Sequence, residues 1–220
     1  MEWMASWSSR MEELRAADSS RRVFGSGHHE YAHAAPVSEK EVQRIENQYG
    51  FEVPGEYRQF LTEIGNGGAG PGYGLWPIGF WDPTDSALEE WSSSWADNPG
   101  HSFPHAAAWN LPESVWKKQP PSDANYETHD DFTAVVDAAA FAKGLANGAI
   151  PIANLGCAIR VLLVVSGPQE GQVWIDDRAS DGGIYPAPGD RAMTFVDVYE
   201  DWLARAEQQV SSGKTATYLW

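Results

Sequence analysis

The chain has 220 residues and a formal charge of −16, and 42% of it is hydrophobic, with 11 Trp, 8 Tyr and 8 Phe. That composition excludes a disordered chain and supplies enough apolar material for a packed core. One cysteine, Cys157, excludes an intramolecular disulfide, and no run approaches the roughly 18 consecutive apolar residues of a membrane span.

The first segment, MEWMASWSSRMEEL, lacks the basic start and apolar stretch of a signal peptide, so a cytoplasmic protein is expected. Trp3, Met4, Trp7, Met11 and Leu14 recur at helical spacing and predict an amphipathic helix over about 1–18. A Gly/His-rich loop from Phe24 to His33 follows. Ser38 and Glu41 then make a capping-box pattern, with Val42, Ile45 and Tyr49 on one face of the next helix. Pro54 opens a second helix at a favoured first-turn position, Tyr57, Phe60, Leu61 and Ile64 form its buried stripe, and Gly65 is the expected stop.

Residues 65–72 make a glycine-rich turn, and Tyr73–Phe80 behind it reads as a strand. Residues 80–137 differ in character. They hold six of the 14 prolines, five tryptophans, 11 acids and two bases, and they read as a long irregular insertion with one or two short helices. An Ala-rich helix is expected over 133–147. Ile159–Val165 is a nearly continuous apolar run, which suits a buried central strand. Residues 166–171 have turn chemistry, and Gln172–Asp176 reads as the return strand of a hairpin. Thr194 and Asp197 repeat the capping pattern ahead of a closing helix whose apolar face is Phe195, Val198, Tyr199, Trp202, Leu203 and Ala206. The expected fold is α+β: a single domain spanning residues 1–220, with helices on a mainly antiparallel sheet.

Four strings look chemical. His29-Glu30-Tyr31-Ala32-His33 fits H-E-x-x-H, the pattern of a zinc-dependent hydrolase, but the surrounding glycines and Pro36 argue against the helix that chemistry needs. The glycine-rich turn lacks the Gly-Lys-Ser/Thr ending of a phosphate loop and has no lysine. Cys157 beside an apolar strand reads as a small buried residue. The pairs Asp130-Asp131 and Asp176-Asp177 read as solvated turns. None of these makes a catalytic or metal-binding constellation, and neither a cofactor nor a metal is expected.

The insertion carries the functional expectation. Its charge of −9 sits among Trp81, Trp91, Trp95, Trp109 and Trp116. Some of these tryptophans are expected to pack the insertion onto the core. Aromatic anchors ringed by acids also suit an interface for a basic protein, and the same charge repels nucleic acid and anionic lipid. The expected partner-binding residues are Asp82, Asp85, Glu89, Glu90, Trp91 and Trp95, with Asp130 and Asp131 next.

Several strings together resemble the SUKH superfamily, a group named in part for a yeast cell-wall assembly regulator. They are Phe24-Gly25 with His29-x-Tyr31, then Val53-Pro54-Gly55-Glu56-Tyr57-Arg58-Gln59-Phe60-Leu61, then Ile64-Gly65-Asn66-Gly67-Gly68-Ala69-Gly70-Pro71, with Tyr73-Gly74-Leu75 after it. Pro151–Cys157, Gly171-Gln172-Val173-Trp174 and the Thr194-Phe195 helix with Trp202-Leu203 are similar as well. The resemblance runs over about 20–206 and finds no match for 80–133. It implies a curved, mainly antiparallel sheet flanked by helices. It also implies an immunity protein that binds and neutralises a cognate toxin of a polymorphic or contact-dependent system. The alternative is a non-enzymatic regulatory or scaffold module. The resemblance carries over no catalytic residues; His29, Tyr31, Pro54, Tyr57, Gly65, Asn66, Gly67, Gly68 and Gly70 are implied to be structural.

Overall fold

The computed structural model describes residues 2–81, 89–90 and 97–213. Helix α1 (Glu2–Ala17) precedes the short α2 (Ser26–His29), then α3 (Glu39–Tyr49) and α4 (Gly55–Gln59), which passes directly into a π-helical turn, Phe60–Ile64. A two-residue pair, β1 (Phe80–Trp81) with β2 (Glu89–Glu90), leads to α5 (Glu113–Trp116) and α6 (Tyr126–Ala140). The main sheet is β3 (Ala149–Gly156), β4 (Ile159–Val164), β5 (Val173–Asp177) and β6 (Gly183–Pro186), antiparallel throughout and in sequence order. Helix α7 (Phe195–Ser212) closes the described chain. The fold is α+β, as the element pattern predicts.

The sheet explains its own sequence. Along β4 and the residue after it, Val161, Leu163 and Val165 enter the main core, while Leu162 and Val164 enter a second cluster on the opposite face. A strand buried on both faces has no reason to alternate, which is why this run is continuously apolar. On the first face lie Trp7, Met11 and Leu14 of α1, Val42 and Ile45 of α3, Tyr57 and Phe60, and the α7 stripe from Phe195 to Ala206. Trp7 stacks on Tyr199 with centroids 4.1 Å apart, and its indole N–H donates to Glu200. On the second face Phe103, Trp174 and Ile184 pack with Ala146 and Ala149, and Trp109 leans against them.

Both edges of the sheet are partly covered by other segments of the chain. At the β3 edge, the amides of Tyr73 and Trp76 donate to the carbonyls of Asn154 and Ile152 at 2.8 Å. Isolated bridges continue outward from Ala153 to Leu75, Gly68 and His33. At the β6 edge, Trp109 and Ile184 exchange both backbone hydrogen bonds, at 2.7 and 2.8 Å.

Several expectations change. Tyr73–Phe80 is not a strand: Leu75 alone bridges, to Gly68 on one side and Ala153 on the other, and regular pairing begins only at Phe80. Positive φ at Gly72, Gly74 and Gly79 breaks the extended run. The Ala-rich helix is α6, seven residues earlier at both ends than predicted, because Asn125 caps it: its side chain accepts from the Thr128 amide at 2.9 Å. Gly65 has an extended backbone (φ 177), so it does not close the helix in the left-handed way. A Cβ there would stand 2.6 Å from the Ala34 carbonyl oxygen, and its amide completes the π-turn by donating to Phe60. Cys157 is exposed, at the tip of the β3–β4 hairpin. Asp176 is buried in β5, and Asp130-Asp131 lies within α6, so neither acid pair is a solvated turn.

Candidate partner-binding face

The insertion is built outward from the sheet in layers. Trp109 is shared between the sheet's second cluster and a smaller cluster made by Leu111, Val136 and Ala140, with Trp116 and Phe132 packed on it. Trp109 and Trp116 are both half-buried. These two tryptophans therefore attach α5 and α6 to the domain. Helix α6 is the outer layer of this cluster, with Phe132, Val136, Ala139 and Ala140 turned inward.

That outward surface is acidic and partly apolar. Glu127, Asp130, Asp131 and Asp137 are all exposed, and α6 carries no Lys or Arg. Among the described residues none of these four makes a side-chain hydrogen bond or an ion pair. Tyr126 is 81% exposed, Val135 48% and Phe141 51%, three of the five large hydrophobic side chains that stand exposed among the described residues. Isolated exposed apolar residues are ordinary, but a concentration on one helix is informative.

Of the residues the sequence singles out, Asp130 and Asp131 are on this face. Glu89 and Glu90 form β2, paired with Trp81 and Phe80. Asp82, Asp85, Trp91 and Trp95 lie outside the described residues. Tyr126, Asp137 and Phe141 carry no local signal of a shared face: Tyr126 precedes the helix expected over 133–147, and only the cap at Asn125 puts it on one helix with Asp137, ending at Phe141.

The H-E-x-x-H string does not form a helix. Its chain turns left-handed at Glu30 (φ 49) and Tyr31 (φ 58), which separates the two histidines. His29 is buried; the Tyr31 amide donates to its Nδ1 at 3.1 Å, and its ring meets Trp202 edge-on at 5.7 Å. Burial lowers its pKa to about 4. His33 Nε2 lies 2.8 Å from the Tyr199 hydroxyl, which donates to the Ala69 carbonyl. Tyr31 belongs to a buried polar knot: its hydroxyl, the Ser26 hydroxyl and two backbone amides all donate to Asp18, which holds that carboxylate below its ordinary pKa. Pro54 is the N-cap of α4 and Tyr57 is wholly buried. The Asn66 side chain accepts from the Ile78 amide at 2.8 Å. A Cβ on Gly68 would stand 2.4 Å from the Ala32 carbonyl oxygen, and one on Gly67 or Gly70 would be nearly as crowded. Among the described residues no group of three or more His, Cys, Asp or Glu is arranged to hold a metal.

A separate open cleft of about 570 Å³ lies between α3 and the β4–β5 turn, lined in part by Glu46, Glu52, Ser166 and Glu170. Glu46 is already engaged by Arg58 and by the Val53 amide. Among the described residues no helix is long and apolar enough to cross a membrane.

Residues 36–188 match the SMI1/KNR4 family (SUKH-1). The chain belongs to that family. The match covers most of the chain, from the α3 cap through β6, and so includes the glycine-rich edge, the insertion and the sheet. No curated protein and no solved structure matches the chain. SUKH-1 domains are generally non-catalytic, and the family includes immunity proteins. His29, at the end of a short helix, and His33 precede the matched residues; their rings pack against Trp202 and Tyr199 of α7.

Proposed function

We propose that this SUKH-1 domain is an immunity protein that binds a cognate bacterial toxin domain with a basic surface and neutralises it inside the cell that makes both. The observation that carries the reading is the outward surface of α6: four exposed carboxylates with no ion pair among the described residues, no Lys or Arg in the helix itself, and three exposed large apolar side chains on an element packed against the sheet through Trp109. Apolar anchors give affinity once water is excluded, and the surrounding acids steer a basic partner and set its register. Asp130 and Asp131 belong to the contact, and Asp82, Asp85, Glu89, Glu90, Trp91 and Trp95 of the same insertion complete the proposed set. The acidic surface disfavours nucleic acid and anionic lipid as direct ligands. Inhibition needs no chemistry from this chain; covering the toxin's active site or its substrate path is sufficient.

The test is co-expression with the toxin domain encoded beside the gene. Cells carrying that domain alone should stop growing, and cells carrying both should grow, with the two proteins purifying as a complex. Growth arrest that this chain does not relieve, with no complex formed, would remove the immunity reading. Stable complexes with several cytosolic proteins instead would favour a regulatory module.

A further inference from the structure

Within α6 the exposed residues are not equivalent. Tyr126, Asp130, Asp137 and Phe141 follow one another at intervals of four, seven and four, so they fall within about 60° of the helix circumference. They form one stripe with an exposed aromatic ring at each end and two carboxylates between. Asp131, the neighbour in sequence, lies on a different side.

Two features of this stripe run against what stability alone would select. Asp137 stands in the last turn of α6, where the helix dipole disfavours a carboxylate, and no described cation pairs with it. Phe141, half-exposed, is nonetheless held in place. The buried Arg178 sets its guanidinium 5.4 Å from the Phe141 ring centroid and donates to the Ala140 carbonyl at 3.2 Å. Arg178 is itself locked to Asp176. An exposed ring held by a buried cation loses little conformational entropy when a partner covers it. A local electrostatic cost beside a pre-positioned anchor is the pattern of a site kept for binding.

We propose that the stripe Tyr126–Asp130–Asp137–Phe141 is the docking edge for a partner segment that alternates arginine or lysine with apolar side chains, and that Arg178 positions its Phe141 anchor. This rests on the partner-binding reading above and gives that partner its chemistry. Charge selects the occupant. A second copy of this chain would bring two more carboxylates against these two in a molecule already at −16, and like charges placed opposite one another oppose association. The basic segment supplies cations for Asp130 and Asp137 and apolar groups for the two rings.

The experiment uses the full chain labelled for NMR, titrated near physiological salt with a short synthetic peptide alternating arginine and leucine. A matched glutamate–leucine peptide is the control. Amide shifts should concentrate over residues 126–141 and saturate, and the control peptide should produce none. Asp130→Asn with Asp137→Asn should weaken binding by about tenfold or more. Tyr126→Ala leaves the charge unchanged and should weaken it several-fold. Arg178→Lys, which keeps the buried charge but loses the planar fork, should weaken it without moving the site of the shifts. Thermal melts establish that each variant is folded. Shifts spread evenly over the acidic surface, or equal affinity for Tyr126→Ala, overturn the proposal, as does concentration-dependent dimerisation that Tyr126→Ala abolishes. The two readings fail separately. A neighbouring toxin bound equally well by all these variants sinks the stripe and leaves the immunity function. A stripe that binds the peptide in a chain that protects no cell sinks the immunity function and leaves the stripe.

Discussion

A Cβ on Gly25 would stand 1.7 Å from the carbonyl oxygen of Gly72. The loop that opens α2 and the glycine-rich turn are thus in backbone contact, and Gly25 also has φ +75, in the left-handed region. Gly50, the residue after α3, has nearly the same φ of +74 and nothing within 4 Å of its Cβ position. The pair separates conformational strain from collision. Gly50→Ala should cost only the left-handed penalty, about 1 kcal/mol. Gly25→Ala should cost at least about 2 kcal/mol more, because two backbone segments must part. Urea denaturation of both variants measures the difference, and equal losses would show that the loop yields freely.

Arg178 and Asp176 make the second prediction. Two bonds of 2.7 Å join the guanidinium to the carboxylate, and the two side chains are 5% and 7% exposed. The carboxylate beside it keeps Arg178 firmly protonated despite burial. Removing one partner leaves the other charged and desolvated, so Arg178→Ala or Asp176→Ala should each lose about 3–5 kcal/mol. Replacing both with apolar residues of similar volume should recover much of that loss. A double-mutant cycle in urea checks it; single-variant losses under about 1 kcal/mol would mean that water reaches the pair.

Acid should destabilise the protein early, and His29 is one reason. Its folded pKa of about 4 lies below the ordinary 6.5 because burial disfavours the charged ring. The unfolded chain therefore binds a proton that the folded chain does not, and stability falls as pH drops from about 6.5 to about 4. The full loss from His29 is on the order of 3 kcal/mol, reached below pH 4. Burial lowers His33 and His105 too, adding to the same slope. Asp18 acts in a lower window: its depressed pKa gives stability that is present above the unfolded carboxylate value and lost as pH falls through the folded one. Relief of the acidic surface's self-repulsion opposes all of these, so the comparison must be internal. His29→Asn keeps an acceptor for the Tyr31 amide and removes the titration. Its unfolding free energy should vary less with pH between 7 and 4.5 than that of the natural chain, and parallel curves would contradict the assignment.

What the sequence disclosed follows from how local each signal is. Ser38 and Thr194 announce their helices by short-range hydrogen bonds, and both caps form, Thr194 and Asp197 as a complete reciprocal box. The apolar run of β4 marks burial on both faces. Nothing local says that the cover on its second face comes from Phe103 and Trp109, about fifty to sixty residues upstream. The strands β3 and β6 leave little trace in the sequence, because Pro151 and two register shifts interrupt one and the other is only four residues long. The candidate face was half legible. Asp130 and Asp131 stood out by charge, whereas Phe141 gains its meaning only from Arg178, a residue that tertiary structure brings to it.

The β3–β4 hairpin closes through Cys157 and Ala158, at φ 51 and 60, with Gly156 paired to Ile159. Positive φ at both central positions is the geometry of a type I′ turn, whose twist matches that of the strands it joins and which favours Asn-Gly. Cysteine and alanine are poor occupants of it, because a Cβ at left-handed φ crowds the backbone. Both residues are exposed, so replacing them disturbs no packing. Cys157→Asn with Ala158→Gly should therefore stabilise the domain by about 1 kcal/mol, the added freedom of glycine in the unfolded chain offsetting part of the gain. A higher melting temperature with an unchanged urea m-value is the expected result. A lower one would mean that the hairpin tip tolerates its residues through contacts beyond the turn.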